Sequence, residues 1–307
     1  MKKILIVGLG PMGIAHLKSF QNKSSKYHIF LSDLNMRKIA KQNFTFFSKF
    51  KNITMNNYLP KNFIFDLVII STNSKGRYRV IKEIVKNNKI KHLLLEKFLF
   101  PNLKDFNSFK KLIKKEKIKH IFVNTWGNYL VKKLNLINLL KKKKDIKIVI
   151  HINQGDMLTN LIHYFDIIFS IFPEKKIYLF NQDVEVIKSK RKGYDELKGE
   201  LIFKLGFNFI LIESKLIKKF NKMQITGDNL NYLLEIDNQG FCNLYNKKKM
   251  IKKIPFPFAS KKTELWFNNF LTGKKEEKFI NNYEKISDLS IQILILLKKI
   301  RKKLIIT

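Results

Sequence analysis

The feature that most limits what this chain can fold into is Gly8-Leu9-Gly10-Pro11-Met12-Gly13, which directly follows the apolar run Ile4–Val7 and opens a helical pattern. In that context the three glycines have separate jobs. Gly8 permits a tight turn, Gly10 lets a pyrophosphate approach the backbone, and Gly13 lets the helix pack closely on the strand. Pro11 suits a first helical turn, where a missing N–H costs little, and Met12 completes the turn. The open N–H groups and positive dipole end of such a helix favour phosphate. Asp33 ends the second apolar run, where a carboxylate accepts from a ribose 2′-hydroxyl. The implied cofactor is therefore NAD, because Asp33 repels a 2′-phosphate. Arg37 and Lys38 keep NADP open.

The same rhythm continues along the N-terminal part. Ile4–Val7, Ile29–Ser32, Leu67–Ser71, His92–Leu95 and His120–Val123 read as buried strands. Between them Met12–Gln21, Met36–Phe47, Arg77–Asn88 and Lys104–Lys117 carry helical spacing. Alternation of this kind predicts right-handed crossovers and a doubly wound parallel sheet, a Rossmann domain over residues 1–122. Residues 123–307 change character and predict an α/β domain with a mainly antiparallel sheet, serving substrate binding and oligomerisation. One helical segment, Met157–Phe172, precedes strand-like runs at Lys176–Phe180, Gly199–Leu205, Asn208–Ser214, Lys222–Gly227, Tyr232–Asp237 and Phe241–Tyr245. Helices are expected at Ser260–Phe270 and Tyr283–Lys303, and the Lys141–Lys144 run reads as a solvated turn between domains.

Composition narrows the function classes. A net charge of +37 raises a nucleic-acid or acidic-membrane partner, yet only five of the 61 basic residues are arginine, the side chain that reads phosphates and bases bidentately. The lysines are spread along the chain beside abundant Ile, Asn and Phe, which points to codon composition and to no specific nucleic acid. The single cysteine, Cys242, cannot form an internal disulfide. No apolar stretch has the length of a membrane span and no secretory signal opens the chain, so a cytoplasmic protein is expected. His16, His28, His92, His120 and His151 lack acid or Cys neighbours at ligand spacing, so no metal site is expected.

Further along, Asp66-Leu67-Val68-Ile69-Ile70-Ser71-Thr72-Asn73, Leu94-Leu95-Glu96-Lys97 and His163-Tyr164-Phe165-Asp166 stand in an order that resembles the Gfo/Idh/MocA oxidoreductases, the glucose–fructose oxidoreductase and inositol dehydrogenase group. The resemblance spans essentially the whole chain. It implies a Rossmann domain, cofactor contacts from Ser71, Thr72, Asn73 and Glu96, and a second domain whose helix carries His-x-x-Asp. Several positions depart from the family pattern. Phe98 replaces a proline after Lys97, Thr159 an aspartate four residues before His163, and Leu161 a glycine; Asn160 is the nearest polar substitute. Asn73 and Arg77 stand where proline and histidine are usual. A further resemblance, in Glu96–Phe100 and Asn160–His163, is to members found in bacterial surface-polysaccharide gene sets.

A nicotinamide enzyme acting on a sugar alcohol must remove a hydroxyl proton as hydride leaves the same carbon. Lys97, at a strand end on the edge where such sheets bind ligands, is the candidate for orienting that hydroxyl and sharing its proton. His163 and Asp166 share one helical face, with His163 suited to proton transfer and Asp166 to orienting it or binding a sugar hydroxyl. Asn124, Trp126 and Tyr129 follow the last Rossmann strand and would line a sugar pocket or, equally, pack a domain junction. The expected function is hydride transfer between nicotinamide and a sugar or nucleotide-sugar, by a homo-oligomer. A non-catalytic NAD-binding sensor is the rival, motivated by Thr159 and Phe98.

Overall fold

Apolar strands with short connections build the first unit around a parallel sheet, seen in a computed structural model of the chain. The structure describes residues 1–97, 99–118, 120–140, 145–153, 156–173, 177–189, 195–214, 221–237, 239–256, 260, 263–271, 288–289, 291–293 and 295. Phe98, the Lys141–Lys144 run and most of Tyr283–Lys303 therefore lie outside the described residues. By contacts the chain divides into two units, Met1–Asn124 with Phe258–Tyr283, and Thr125–Pro257 with Glu284–Thr307. Phe258–Tyr283 thus groups with the first unit, whereas the sequence pattern assigned it to the second domain.

In the first unit the chain runs β1 (Lys2–Val7), α1 (Pro11–Ser19), β2 (Tyr27–Ser32), α2 (Met36–Gln42), α3 (Phe44–Phe47), β3 (Ile53–Asn56), β4 (Ile64–Phe65), β5 (Leu67–Ile70), α4 (Arg77–Asn87), β6 (Lys89–Ile90), β7 (His92–Leu95), α5 (Leu103–Lys115) and β8 (His120–Val123). The main sheet has the order β3-β2-β1-β5-β7-β8, and every pairing in it is parallel. The order reverses between β1 and β5, and sheets of this kind bind ligands beyond the carboxyl ends of the strands at such a reversal. Strands buried on both faces need continuous apolar runs, and all four residues of both β5 and β7 are buried. The predicted helix Met36–Phe47 is interrupted at Asn43. There the side-chain amide donates to the Ile39 carbonyl at 3.0 Å and competes with the helical pattern.

The second unit follows with α6 (Gly127–Leu134), α7 (Leu136–Leu140), β9 (Lys147–His151), α8 (Met157–Ile171), then β10 (Ile177–Lys188), β11 (Asp195–Leu205), β12 (Asn208–Ser214), β13 (Asn221–Gly227), β14 (Leu230–Ile236), β15 (Phe241–Asn246) and β16 (Lys249–Pro255). Helix α9 (Thr263–Leu271) belongs to the first unit. The second sheet has the order β10-β11-β12-β9-β13-β14-β15-β16 and is antiparallel except where β9 runs parallel to β12. Helix α8 is apolar nearly all round and packs against α6 and β11. Gly127 makes the α6 contact possible, since a Cβ there would lie 2.5 Å from the Ile167 nitrogen and 2.6 Å from the His163 carbonyl oxygen. Among the described residues no helix is long and apolar enough to cross a membrane.

Candidate functional site

In the first unit the glycine turn has the expected division of labour. Gly8 adopts φ +88°, and a Cβ on it would meet the Thr72 nitrogen at 2.8 Å. A Cβ on Gly13 would fall 2.0 Å from the Gly8 carbonyl oxygen, so only glycine lets α1 approach β1 this closely. Gly10, by contrast, has nothing within 4 Å of its Cβ position. Among the described residues that direction is open to at least 4 Å, which suits the approach of a ligand to the backbone. Pro11 and Met12 are exposed on the first turn of α1.

Asp33 shapes this turn as well as carrying charge to it. Its carboxylate accepts the Leu9 N–H at 2.7 Å and the Asn35 N–H at 2.8 Å. The Ser71 hydroxyl contacts the Gly8 and Val7 carbonyl oxygens at 2.7 and 3.1 Å, tying the end of β5 to the turn. Beside it the Thr72 hydroxyl oxygen is buried without a hydrogen-bond partner among the described residues. Such an orphan is costly unless a ligand satisfies it. Asn73 is exposed. An unobstructed Gly10, a helix N-terminus, a carboxylate at the end of β2 and an unsatisfied Thr72 hydroxyl fit a dinucleotide.

Glu96, 5% exposed, is held from two sides. His16 Nε2 lies 2.7 Å from its Oε1, and Asn124 Nδ2 donates to the same oxygen at 2.5 Å. His16 Nδ1 lies 2.7 Å from Thr263 Oγ1, whose proton goes to the Ser260 carbonyl. Thr263 must then accept from Nδ1–H, which leaves a single proton between His16 Nε2 and Glu96 Oε1. Thus Asn124, expected near substrate, enters a network around Glu96, and the sequence reading of His16 missed its carboxylate partner. Lys97 follows Glu96 and is half-buried.

The second unit holds the other candidates. The His163 ring stacks on Trp126 with centroids 4.7 Å apart, and both are buried. Tyr164 and Phe256 meet the same indole edge-on. Asp166, 1% exposed, accepts the Thr125 hydroxyl and the Asn128 N–H through Oδ2, each at 2.8 Å. Through Oδ2 this carboxylate caps the start of α6. Replacing Asp166 by alanine is accordingly expected to cost about 3 kcal/mol in urea unfolding and by asparagine about 1 kcal/mol. Unchanged stability with lost turnover would restore a catalytic role.

Glu196 was not anticipated. Its carboxylate accepts the Leu158 N–H at 2.7 Å, the Thr159 N–H at 3.1 Å and the Thr159 hydroxyl, and so caps α8. Burial pushes this carboxyl above its ordinary range, against the opposing pull of those hydrogen bonds. The carboxylate absent at position 159 is thereby supplied to the same helical turn from β11. Asn160 is half-buried and bonds the Asp156 carbonyl at 3.2 Å, and half-buried Tyr129 has Lys133 over its ring. Among the described residues no group of three His, Cys, Asp or Glu side chains gathers as metal ligands.

Residues 2–125 match the family described as "Oxidoreductase family, NAD-binding Rossmann fold". No curated protein matches the chain in sequence. Among solved structures, the super-repressor mutant of Gal80p from Saccharomyces cerevisiae is similar in fold, with 17% identity, TM-score 0.68 and coverage of 98% of this chain and 95% of that one. A dehydrogenase from Clostridium difficile aligns at 13% identity and TM-score 0.66 over 97% and 99%. The UDP-N-acetylglucosamine 3-dehydrogenase of Acidithiobacillus ferrooxidans aligns at 10% identity and TM-score 0.66 over 97% and 98%.

Proposed function

We propose that the chain is a dehydrogenase moving hydride between a nicotinamide cofactor and a hydroxyl or carbonyl carbon of a sugar or nucleotide-sugar, a reading supported by the match of residues 2–125 to the NAD-binding Gfo/Idh/MocA oxidoreductase family. The observation that carries this reading is the glycine turn, with the open Cβ direction of Gly10, Gly8 set against Thr72, and a Thr72 hydroxyl that is unsatisfied among the described residues. The bound nicotinamide would supply the hydride acceptor or donor. The N-terminus of α1 and the backbone at Gly10 would hold the pyrophosphate, and Asp33 the adenosine ribose. Glu96 and Lys97 stand at the end of β7 on the same sheet edge, where Lys97 would share the proton of the reacting hydroxyl. His163, in the second unit, is the other proton-handling candidate. The likeness to UDP-N-acetylglucosamine 3-dehydrogenase supports a nucleotide-sugar substrate; a place in surface-polysaccharide synthesis rests on the sequence resemblance in Glu96–Phe100 and Asn160–His163 alone.

A second reading, a non-catalytic NAD-binding regulator, is favoured by the use of Asp166 as a helix cap and by the fold shared with a Gal80p super-repressor. Calorimetric titration with NAD and NADP, followed by a panel of sugars and nucleotide-sugars monitored for cofactor reduction, separates the two. NAD is expected to bind about ten-fold or more tightly than NADP, and Asp33→Asn to narrow that gap, since one charge pair near the surface contributes a few kcal/mol. Binding with no turnover across the panel would favour the regulator, and absence of affinity for either nucleotide would sink both. Exposed Phe180 and Phe209, whose rings meet at 5.5 Å, support a homo-oligomer, which light scattering tests. Binding to generic DNA duplex is expected to be weak at physiological salt.

A further inference from the structure

We propose that Arg77 is a positioning residue for Lys97: its buried guanidinium clamps the backbone on both sides of that lysine. The proposal rests on the reading of Lys97 as the proton-handling group.

Arg77 is the first residue of α4 and is 2% exposed. Both facts oppose a cation. The first turn of a helix carries the positive end of the dipole, and a charge removed from water is tolerated only when its hydrogen bonds are well made. The compensation is specific. One terminal nitrogen donates to the Glu96 carbonyl at 2.5 Å and to the Leu99 carbonyl at 3.1 Å, and the other donates to the Thr72 carbonyl at 2.5 Å. These oxygens belong to the segments leaving β7 and β5, on the ligand-binding edge of the sheet. Lys97 lies between the two clamped carbonyls of its own segment. The Glu96 side chain is meanwhile fixed from other directions by His16 and Asn124. A planar fork reaches three carbonyls in one fixed geometry; a lysine ammonium has no such fork.

The sequence supplies the reason for a clamp here. The residue after Lys97 is Phe98, and phenylalanine does not fix φ as a proline would.

The test uses full-length Arg77→Lys and Arg77→Gln, each with and without Phe98→Pro, read by hydrogen–deuterium exchange. In the single variants the Lys97, Leu99 and Phe100 amides are expected to exchange about ten-fold faster while the β7 amides Leu93–Leu95 stay protected. Adding Phe98→Pro should restore slow exchange at Lys97 and Leu99. On any sugar derivative that the native chain turns over, kcat should fall about ten-fold in Arg77→Lys with KM nearly unchanged, and recover in the double variant. Unaltered exchange, or an increase spread evenly over the first unit, would overturn the clamp. Exchange that responds while kcat does not would overturn its bearing on Lys97. If neither single variant folds, a proline double variant that folds with slow exchange at Lys97 supports the clamp, and one that stays unfolded overturns it. The exchange readout needs no substrate, so a failed search for turnover leaves this result standing on its own.

Discussion

Lys97→Ala is expected to lower turnover by about 10²–10⁴-fold, the range for losing a positioned acid–base group, while NAD affinity stays close to native. The separation follows from where the groups lie. The pyrophosphate and ribose contacts come from the Gly8–Gly13 turn and Asp33, at the ends of β1 and β2, whereas Lys97 leaves β7. Alanine removes both charge and proton, so a second substitution is needed to tell which matters. Lys97→Arg keeps the charge but cannot release a proton near neutral pH. It should be nearly as slow as alanine if Lys97 carries the proton, and partly active if Lys97 only stabilises negative charge. His163 needs a different substitution. Alanine there would also remove the ring stacked on Trp126 and open a cavity. His163→Phe keeps a stacked ring and removes the titrating nitrogens. A fall of similar size in His163→Phe would assign it to the proton path, and full activity would assign it to packing. Full activity of Lys97→Ala on the true substrate would remove Lys97 from the mechanism.

The parts of this molecule legible in its sequence are those encoded by local pattern. The strand–turn–helix at Gly8–Gly13 is specified by neighbours a few residues apart, and β7, β8 and β12 fall where apolar runs place them. Other strands escaped because their pattern is weak. Strand β3 pairs only with β2 at the sheet edge and is mostly half-buried, so Ile53-Thr54-Met55-Asn56 carries little apolar signature. Strand β16 is an exposed, lysine-rich edge, a composition that protects sheet edges and disguises them. Strand β9 is central, yet only Ile148 and Ile150 of it are fully buried, and it follows closely on the lysine run at Lys141–Lys144. The site was legible where one segment holds it and illegible where folding assembles it. His16 meets Glu96 across 80 residues and Thr263 across 247, and Glu196 reaches Thr159 across 37. No spacing rule reports such pairs. Asp166 shows a second limit of spacing: its position three residues from His163 on one helix is local, whereas the contacts of its Oδ2 with Thr125 and Asn128 come from 41 and 38 residues away.

Gly10→Asp and Gly13→Ala are expected to fail in opposite ways, although the two glycines belong to one turn. At Gly10 the Cβ direction is open, with nothing within 4 Å, so the aspartate variant should fold and melt near the native temperature. Its carboxylate would stand where the pyrophosphate must approach. Two like charges about 4 Å apart near a protein surface repel by about 4 kcal/mol, which corresponds to a loss of NADH affinity of about 10³-fold. At Gly13 the added methyl meets the Gly8 carbonyl oxygen at 2.0 Å, and that oxygen is backbone that cannot swing aside. Relief requires α1 to move off β1, so Gly13→Ala should lose about 1–3 kcal/mol of stability or more, as overpacked cores do. NADH binding should weaken there as a consequence of the displaced turn. Gly10→Ala is the control, with a methyl in place of the charge: it should fold normally and bind NADH more weakly than native but far better than Gly10→Asp. Thermal melts and NADH fluorescence titrations on the three variants distinguish the roles directly. A Gly10→Asp protein that bound NADH normally would mean that the cofactor does not pass over this turn. A Gly13→Ala protein of native stability would mean that α1 is not held against β1 as closely as the 2.0 Å approach requires.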